Sequence, residues 1–331
     1  MNTFGHNLRL TTFGESHGPA IGGVLDGLPA NLKIDFERVH EMIERRRPGT
    51  SPAVTARNES DTPEFLSGLD SDGVTLGTPI GFIIRNRDYR SEDYSNISEA
   101  YRPNHADYTW ESRFGRPLGP GGGRASARET ACRVVAGAVA KEYLRTLDIK
   151  VEARLLSVGD VSGSMEDMMA EAIRVKALGD SVGGLVGCSI TGMPTGIGNP
   201  VYGKFQMALA AAIMSIPAVK GFEYGLGFEA ATSFGSQTMD ILGVDTNFCG
   251  GLQGGITNGR PIEFRVAFKP TPTLGIPVET IDRRGNRVVL QPKGRHDPCV
   301  AIRGVAVVEA MAALVAADLQ LGSGRVSDIP F

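Results

Sequence analysis

A near-repeat constrains the fold of this chain more than any other feature. Ile21-Gly22-Gly23-Val24-Leu25-Asp26-Gly27-Leu28-Pro29 and Val186-Gly187-Cys188-Ser189-Ile190-Thr191-Gly192-Met193-Pro194 share one pattern, an apolar strand closed by Gly-x-Pro. A helical segment follows each, at Asp35 and near Lys204. Each half later reaches a Gly-Arg pair, Gly123-Arg124 and Gly294-Arg295, opening a long Ala/Val-rich helix. The matches keep a roughly constant spacing, so the 331 residues read as an internal duplication with halves of roughly 1–150 and 151–331. No linker or low-complexity tract separates them, which predicts one packed unit spanning 1–331.

Local patterns supply the elements. His6 to Phe13, Ile21 to Leu25, Ile80 to Ile84 and Pro261 to Phe268 read as strands. Asp35 to Arg46 reads as a helix: Asp35 is an N-cap, Phe36, Val39 and Ile43 recur at helical spacing, and Pro48-Gly49 stops it. A long amphipathic helix is predicted from Ala127 to about Leu147, with Ser126 and Glu129 as a capping box. Between them, residues 86 to 125 show little periodicity, and so long an irregular stretch inside a compact domain points to function. Strands and helices alternate irregularly, which favours an α+β class over a doubly wound parallel sheet.

Composition excludes several functions. The net charge of −3 gives no global field for nucleic acid. Cys132, Cys188, Cys249 and Cys299 form no C-x-x-C pair, so reduced thiols and no structural zinc or other metal are expected. No apolar run approaches the roughly 20 residues of a membrane span, and no signal-peptide pattern opens the chain, so cytoplasmic localisation without a membrane partner is expected. The 43 glycines exceed the usual ~7%, and their clustering suggests tight turns and close backbone approach to a ligand.

Three polar motifs share one chemistry. Gly14-Glu15-Ser16-His17-Gly18 contains the G-x-S-x-G pattern of a serine-hydrolase elbow, but that motif needs a helix next, and Pro19 to Val24 reads as another strand. His17 is then the working residue. Gly121 to Ser126 matches neither a Walker loop nor a dinucleotide fingerprint, yet its glycines and the capped helix start can face an anion, with Arg124 and Arg128 bracketing that start. Lys293-Gly294-Arg295-His296-Asp297-Pro298 places Lys, Arg, His and Asp together, although Asp-Pro is also an ordinary helix start. Arg102-Pro103-Asn104-His105-Ala106-Asp107 adds a second histidine. Arg45-Arg46-Arg47 ends a helix, where the macrodipole alone favours cations. Together these suit a polyanionic substrate beside a phosphate-bearing cofactor, with protons to move.

In this order and over Phe4 to Asp328, the motifs resemble the chorismate synthase family. The resemblance implies a β-α-β sandwich of two pseudo-symmetric halves, a homotetramer, and a 1,4-anti-elimination of phosphate from 5-enolpyruvylshikimate 3-phosphate giving chorismate. It implies dependence on reduced FMN (FMNH2) with no net redox change. By motif match, His17, with Ser16 beside it, aligns with the histidine that protonates the departing phosphate, and His105 with the one near the flavin's pyrimidine end. Asp297 aligns with the acid linked to proton removal through flavin N5, and Ser126 with a polar partner there. Flavin contacts fall on Arg124, Ala125, Ser126, Ala218, Gly254, Lys269, Pro270, Thr271, Pro272, Thr273 and Arg295, and substrate contacts on Arg46, Arg102, Arg128 and Arg295.

Three positions depart from the family pattern. Asn104 stands where Gly is usual, Pro217 where Asn is common, at the possible cost of an N–H donor, and Pro52 where a basic residue is common, with Arg57 as a substitute. No NADP fingerprint is visible, so the flavin's reductant is expected from outside rather than from NADPH bound here. Two other classes compete: a hydrolase using Ser16, and a non-catalytic arginine-rich module that binds polyanions.

Overall fold

The computed structural model describes residues 1–49, 53–54, 60–87, 99–291 and 297–323. Strands β1 (Thr3–Phe4), β2 (Arg9–Gly14) and β3 (Ala20–Asp26) form an antiparallel meander. Helix α1 (Phe36–Arg46) starts where the Asp35 carboxylate accepts the N–H groups of Glu37 and Arg38, and buries Val39, Met42, Ile43 and Arg46. Strands β4 (Pro63–Phe65) and β5 (Ile80–Arg85) complete a five-stranded sheet of order β1-β2-β3-β5-β4. Helices α2 (Asp107–Phe114) and α3 (Thr130–Arg145) close the first half.

The second half builds a similar five-stranded sheet, with one outer strand following rather than preceding its neighbour in the chain. Strands β6 (Lys150–Val158) and β7 (Val161–Ser162) precede helix α4 (Met165–Ala177), strand β8 (Gly184–Thr191), helix α5 (Phe205–Met214) and strand β9 (Val219–Tyr224). A short hairpin, β10 (Leu252–Gln253) and β11 (Ile256–Thr257), leads to β12 (Ile262–Phe268). The sheet order is β7-β6-β8-β12-β9. The two nine-residue matches thus fall on β3 and β8, the central strands of equivalent sheets. A second hairpin, β13 (Val278–Ile281) and β14 (Arg287–Leu290), precedes the long helix α6 (Ala301–Gly322).

Helices α1, α3, α5 and α6 lie between the sheets, with α3 against β2 and β3 and α6 against β6 and β8. This layering makes the α+β sandwich. Gly137 lets the two long helices touch: a methyl there would stand 2.5 Å from Ala310 Cα. Such packing changes two expectations. The helix after Ser126 begins as a 3₁₀ turn, Ala127–Glu129, and α3 is buried on nearly all sides rather than amphipathic. Helix α6 is long and apolar enough to cross a bilayer by composition, which contradicts the expected lack of such a run. Its apolarity answers to the core, since 78% of the apolar window is buried. The irregular 86–125 stretch also holds α2, which lacks an apolar stripe and buries only Asp107.

Candidate active site

A triple glycine anchors the site. Gly121, Gly122 and Gly123 take φ values of 64°, 91° and 46°, a left-handed run that only glycine follows without cost. A methyl on Gly121 would overlap the His17 ring, and one on Gly122 would stand 3.5 Å from His105 Cε1. The two imidazoles therefore flank adjacent residues of one turn. Arg124 ties this turn to β2, donating to Thr12 Oγ1 at 2.7 Å and to the Thr12 carbonyl at 3.1 Å. Asn86 ties down the Gly14–Gly18 loop, donating to the carbonyls of Glu15 (2.9 Å) and Gly18 (2.8 Å).

Ser16 is 1% exposed and the next regular element is β3, so the hydrolase elbow is absent. Its Oγ lies 3.0 Å from His17 Nδ1 and reaches the carbonyls of Pro120 (3.3 Å) and Gly121 (3.4 Å). A hydroxyl donating to a carbonyl accepts from Nδ1–H of His17. The capping box is half formed: Ser126 Oγ accepts the Arg128 N–H, but Glu129 turns to Thr12 Oγ1 and Arg133 instead.

His105 belongs to a second cluster. Its Nδ1 lies 2.8 Å from Asp107 Oδ1, an acceptor-only atom, and 3.0 Å from Arg102 Nη2, a donor-only one; Arg102 Nη2 is closer to Asp107 Oδ1, at 2.7 Å, so the carboxylate takes both donors, Nδ1 carries the proton and Nε2 is the exchanging nitrogen. Arg102 donates twice to the same carboxylate at 2.7 Å. Burial would raise the Asp107 pKa, but hydrogen bonds from Arg102 and His105 outweigh it and hold the carboxyl well below its usual range. Asn104 has φ 58°, a conformation asparagine shares with glycine, so its departure from the family's Gly is conformationally neutral. The Asn104 carbonyl accepts Lys269 Nζ at 2.7 Å, joining this loop to the end of β12.

The third cluster surrounds Asp61, which is fully buried. Arg46 donates to Asp61 Oδ2 (2.9 Å), Thr130 Oγ1 (3.3 Å) and the Ala127 carbonyl (2.8 Å). Arg128 pairs with Asp61 Oδ1 and donates to Asn86 Oδ1 at 3.0 Å. Arg303 donates to the Arg46 carbonyl (2.9 Å) and to Asp297 Oδ2 (2.7 Å). Burial first, then the neighbouring Arg303, push Arg46 down to about 9, with Asp61 opposing them. Burial would raise the Asp61 carboxyl, but Arg46 and Arg128 keep it below its usual range. Asp297 is not the cap of α6: that position is Val300, and the Asp297 side chain instead meets Arg303.

These clusters open onto one cavity of about 880 Å3, in the upper part of the ~300–1,000 Å3 range of ligand sites. Among the described residues, seven cationic side chains line it (Arg46, Arg102, Arg124, Arg128, Arg133, Lys269 and Arg303) against two carboxylates, Glu129 and Asp297. His105, Ala125, Ser126, Ala218, Thr271, Pro272 and Thr273 line it too. Both long helices begin there, at Ala127–Glu129 and at Val300, so two positive dipole ends converge on it. Trp110 and Phe114, with ring centroids 4.5 Å apart and planes tilted by 44°, add an aromatic ledge.

Some expected residues are placed elsewhere. Ser16 and His17 sit behind Gly121 rather than among the lining residues. Pro270 turns away, toward Gly183. Gly254 tops the β10–β11 hairpin, which packs on the start of α5, where Phe205 N–H donates to the Gly255 carbonyl at 2.8 Å, and it does not line this cavity. Arg295, Pro52 and Arg57 lie outside the described residues. Pro217 costs no donor. It is residue i+1 of a turn in which Val219 N–H meets the Ile216 carbonyl at 3.2 Å, a place proline favours, and Ala218 at i+2 takes φ 71°. Sequence reasoning missed Asp61, Asn86, Arg133, Arg303, Trp110 and Phe114. Of these, only Arg303 had a local signal, one helical turn beyond the basic Lys293–Asp297 motif.

A sequence model described as chorismate synthase matches residues 8–321. The chorismate synthase of Christiangramia forsetii is 49% identical over 347 aligned positions, covering 97% of each chain. That of Prochlorococcus marinus subsp. pastoris is 44% identical over 350 positions, covering 96% of each. A crystal structure of a chorismate synthase superposes with a TM-score of 0.72 at 32% identity, covering 96% of this chain and 93% of that one.

Proposed function

The chain belongs to the chorismate synthase family, carbon–oxygen lyases of the shikimate pathway, and from that premise we propose that its cationic cavity takes 5-enolpyruvylshikimate 3-phosphate with reduced FMN alongside and releases phosphate. One observation carries the anion: Arg128 Nη2 is a buried donor with no hydrogen-bond partner among the described residues, on a side chain that lines the cavity. A buried donor without a partner costs roughly 1–3 kcal/mol, which a bound oxyanion recovers.

In this reading Arg128 and Arg102 grip the anionic groups, and Arg46 and Arg303 hold the field positive around them. His17, with Nδ1–H on Ser16 and its ring packed behind Gly121 at the cavity wall, is the proton donor to the departing phosphate in this reading once charged. His105, with Nδ1–H on Asp107, moves a proton at its own Nε2. Asp297, oriented by Arg303, is the final proton acceptor. The residues fit FMN: Arg124, Ala125 and Ser126 offer the glycine turn and a helix start, and Ala218 is tied to Lys269 by an N–H···O bond of 2.9 Å. Thr271 and Thr273 add hydroxyls, and the Trp110–Phe114 ledge adds an apolar face. Reduced FMN, when bound, supplies an electron-rich partner for breaking the C–O bond without net redox change.

The wider setting belongs to the same reading. A homotetramer is supported by exposed apolar side chains close together in sequence, with Phe228 80%, Phe234 73% and Leu242 92% exposed. Cytoplasmic action is supported by four free cysteines. An external reductant, rather than NADPH bound by this chain, completes it. The test is anaerobic phosphate release from 5-enolpyruvylshikimate 3-phosphate with and without chemically reduced FMN. Release only with the reduced flavin is expected, and no release under either condition overturns the reading.

A further inference from the structure

We propose that Asp61 is a positioning residue for the reaction: with Asn86 it clamps Arg128 so that only Nη2 faces the substrate's anion. Asp61 is fully buried, so no water competes for its carboxylate. One oxygen meets Arg46 Nη1 at 2.9 Å, and the other meets Arg128 Nη1. Asn86 Oδ1 takes Arg128 Nε at 3.0 Å. Two of the three guanidinium nitrogens are thereby fixed, and the planar group cannot turn. The third, Nη2, is buried and has no partner among the described residues. Arg46 differs, because each of its three guanidinium nitrogens donates to a partner inside the protein, which makes it the rear brace of the clamp.

An amide in place of Asp61 would present N–H groups to one guanidinium and leave two cations side by side. Arg128 would then swing out of line. The proposal rests on the reading that the cavity binds phosphate-bearing substrate, and it is tested by binding as well as turnover. Inorganic phosphate is titrated calorimetrically into wild type, Asp61→Asn, Arg128→Ala and the double variant, and KM, kcat and FMN affinity are measured for each. Asp61→Asn is expected to weaken phosphate binding and raise KM by about tenfold or more, with kcat changed less than about fivefold and FMN affinity less than about twofold. In the Arg128→Ala background it should add less than about twofold, since it acts through that side chain. Phosphate affinity within about twofold of wild type, or an equal Asp61→Asn effect with and without Arg128, overturns the proposal. Should Asp61→Asn melt too early for titration, Asp61→Glu keeps the charge but displaces it, and the same cycle applies. A wild type that binds phosphate in an Asp61-dependent way yet turns over no substrate would sink the proposed function and leave the clamp standing.

Discussion

Replacing Gly121 by alanine separates backbone strain from side-chain collision. At φ 64° an alanine pays roughly 1–2 kcal/mol for its left-handed conformation. Its methyl would also overlap the His17 ring and come within 3.0 Å of Nε2. Carbon contacts settle at about 3.5–4.0 Å, so the ring must retreat by more than about 1 Å. A displacement of that size in a proton donor costs on the order of 10²-fold in rate. Gly115 supplies the control, because it has φ 65° with nothing within 4 Å of the methyl position. Both variants should melt slightly early, by about 1.5 °C for each kcal/mol in a chain of this size. Only Gly121→Ala should lose turnover in the anaerobic phosphate-release assay, by about 10²-fold. Equal turnover in the two variants would refute a catalytic position for His17 beside the glycine turn.

Three further outcomes follow from the same geometry. Ala218→Gly should raise the melting point by an amount equivalent to about 1 kcal/mol, because Ala218 has φ 71°; an unchanged or lower melting temperature counts against the turn described. Asp107→Asn should lower kcat by about 10²-fold or more, since the amide no longer fixes Nδ1–H on His105, and rates within threefold of wild type would remove that dyad from the chemistry. Asp61 and Asp107 both have folded pKa values below the unfolded ~3.9, so the stability they add is present above about pH 4 and lost as pH falls through the folded values. Chemical denaturation between pH 6 and 3 checks this: wild type should lose more stability than Asp61→Asn over that range, and parallel curves would show that Asp61 adds none.

What could be read from the sequence depended on how local the signal is. The strands around Leu25 and Ile83 show in apolar runs, and α1 shows in its cap and spacing, because each buries a face along a continuous stretch. Helix α2 did not show, since it buries a single residue and that residue is an aspartate. The glycine turn and both histidines were legible as compact motifs. Asp61 and Asn86 were not: each is one polar residue in an ordinary context, and its role exists only once α1, β5 and the start of α3 meet. Pro217 was legible in principle, because Ile216-Pro217-Ala218-Val219 places proline where a β-turn wants it.

The pairing of two similar halves bears on why the site is where it is. Helices α3 and α6 occupy equivalent places in the two halves, and each begins at the cavity. One copy alone offers a single positive helix end and a few arginines, open to solvent on the side where the other half now stands. Packed together, the halves bury Arg46 and Arg128 from the first against Arg303 from the second, and each raises the cost of the others' charge. One buried carboxylate, Asp61, offsets part of that cost, and Asp297 pairs with Arg303 at the margin. The balance stays positive, which keeps a donor such as Arg128 Nη2 waiting for an anion. A stable core would have neutralised these charges or replaced them with apolar side chains. Their persistence at the seam between the two halves is what a site built for a multiply charged ligand requires.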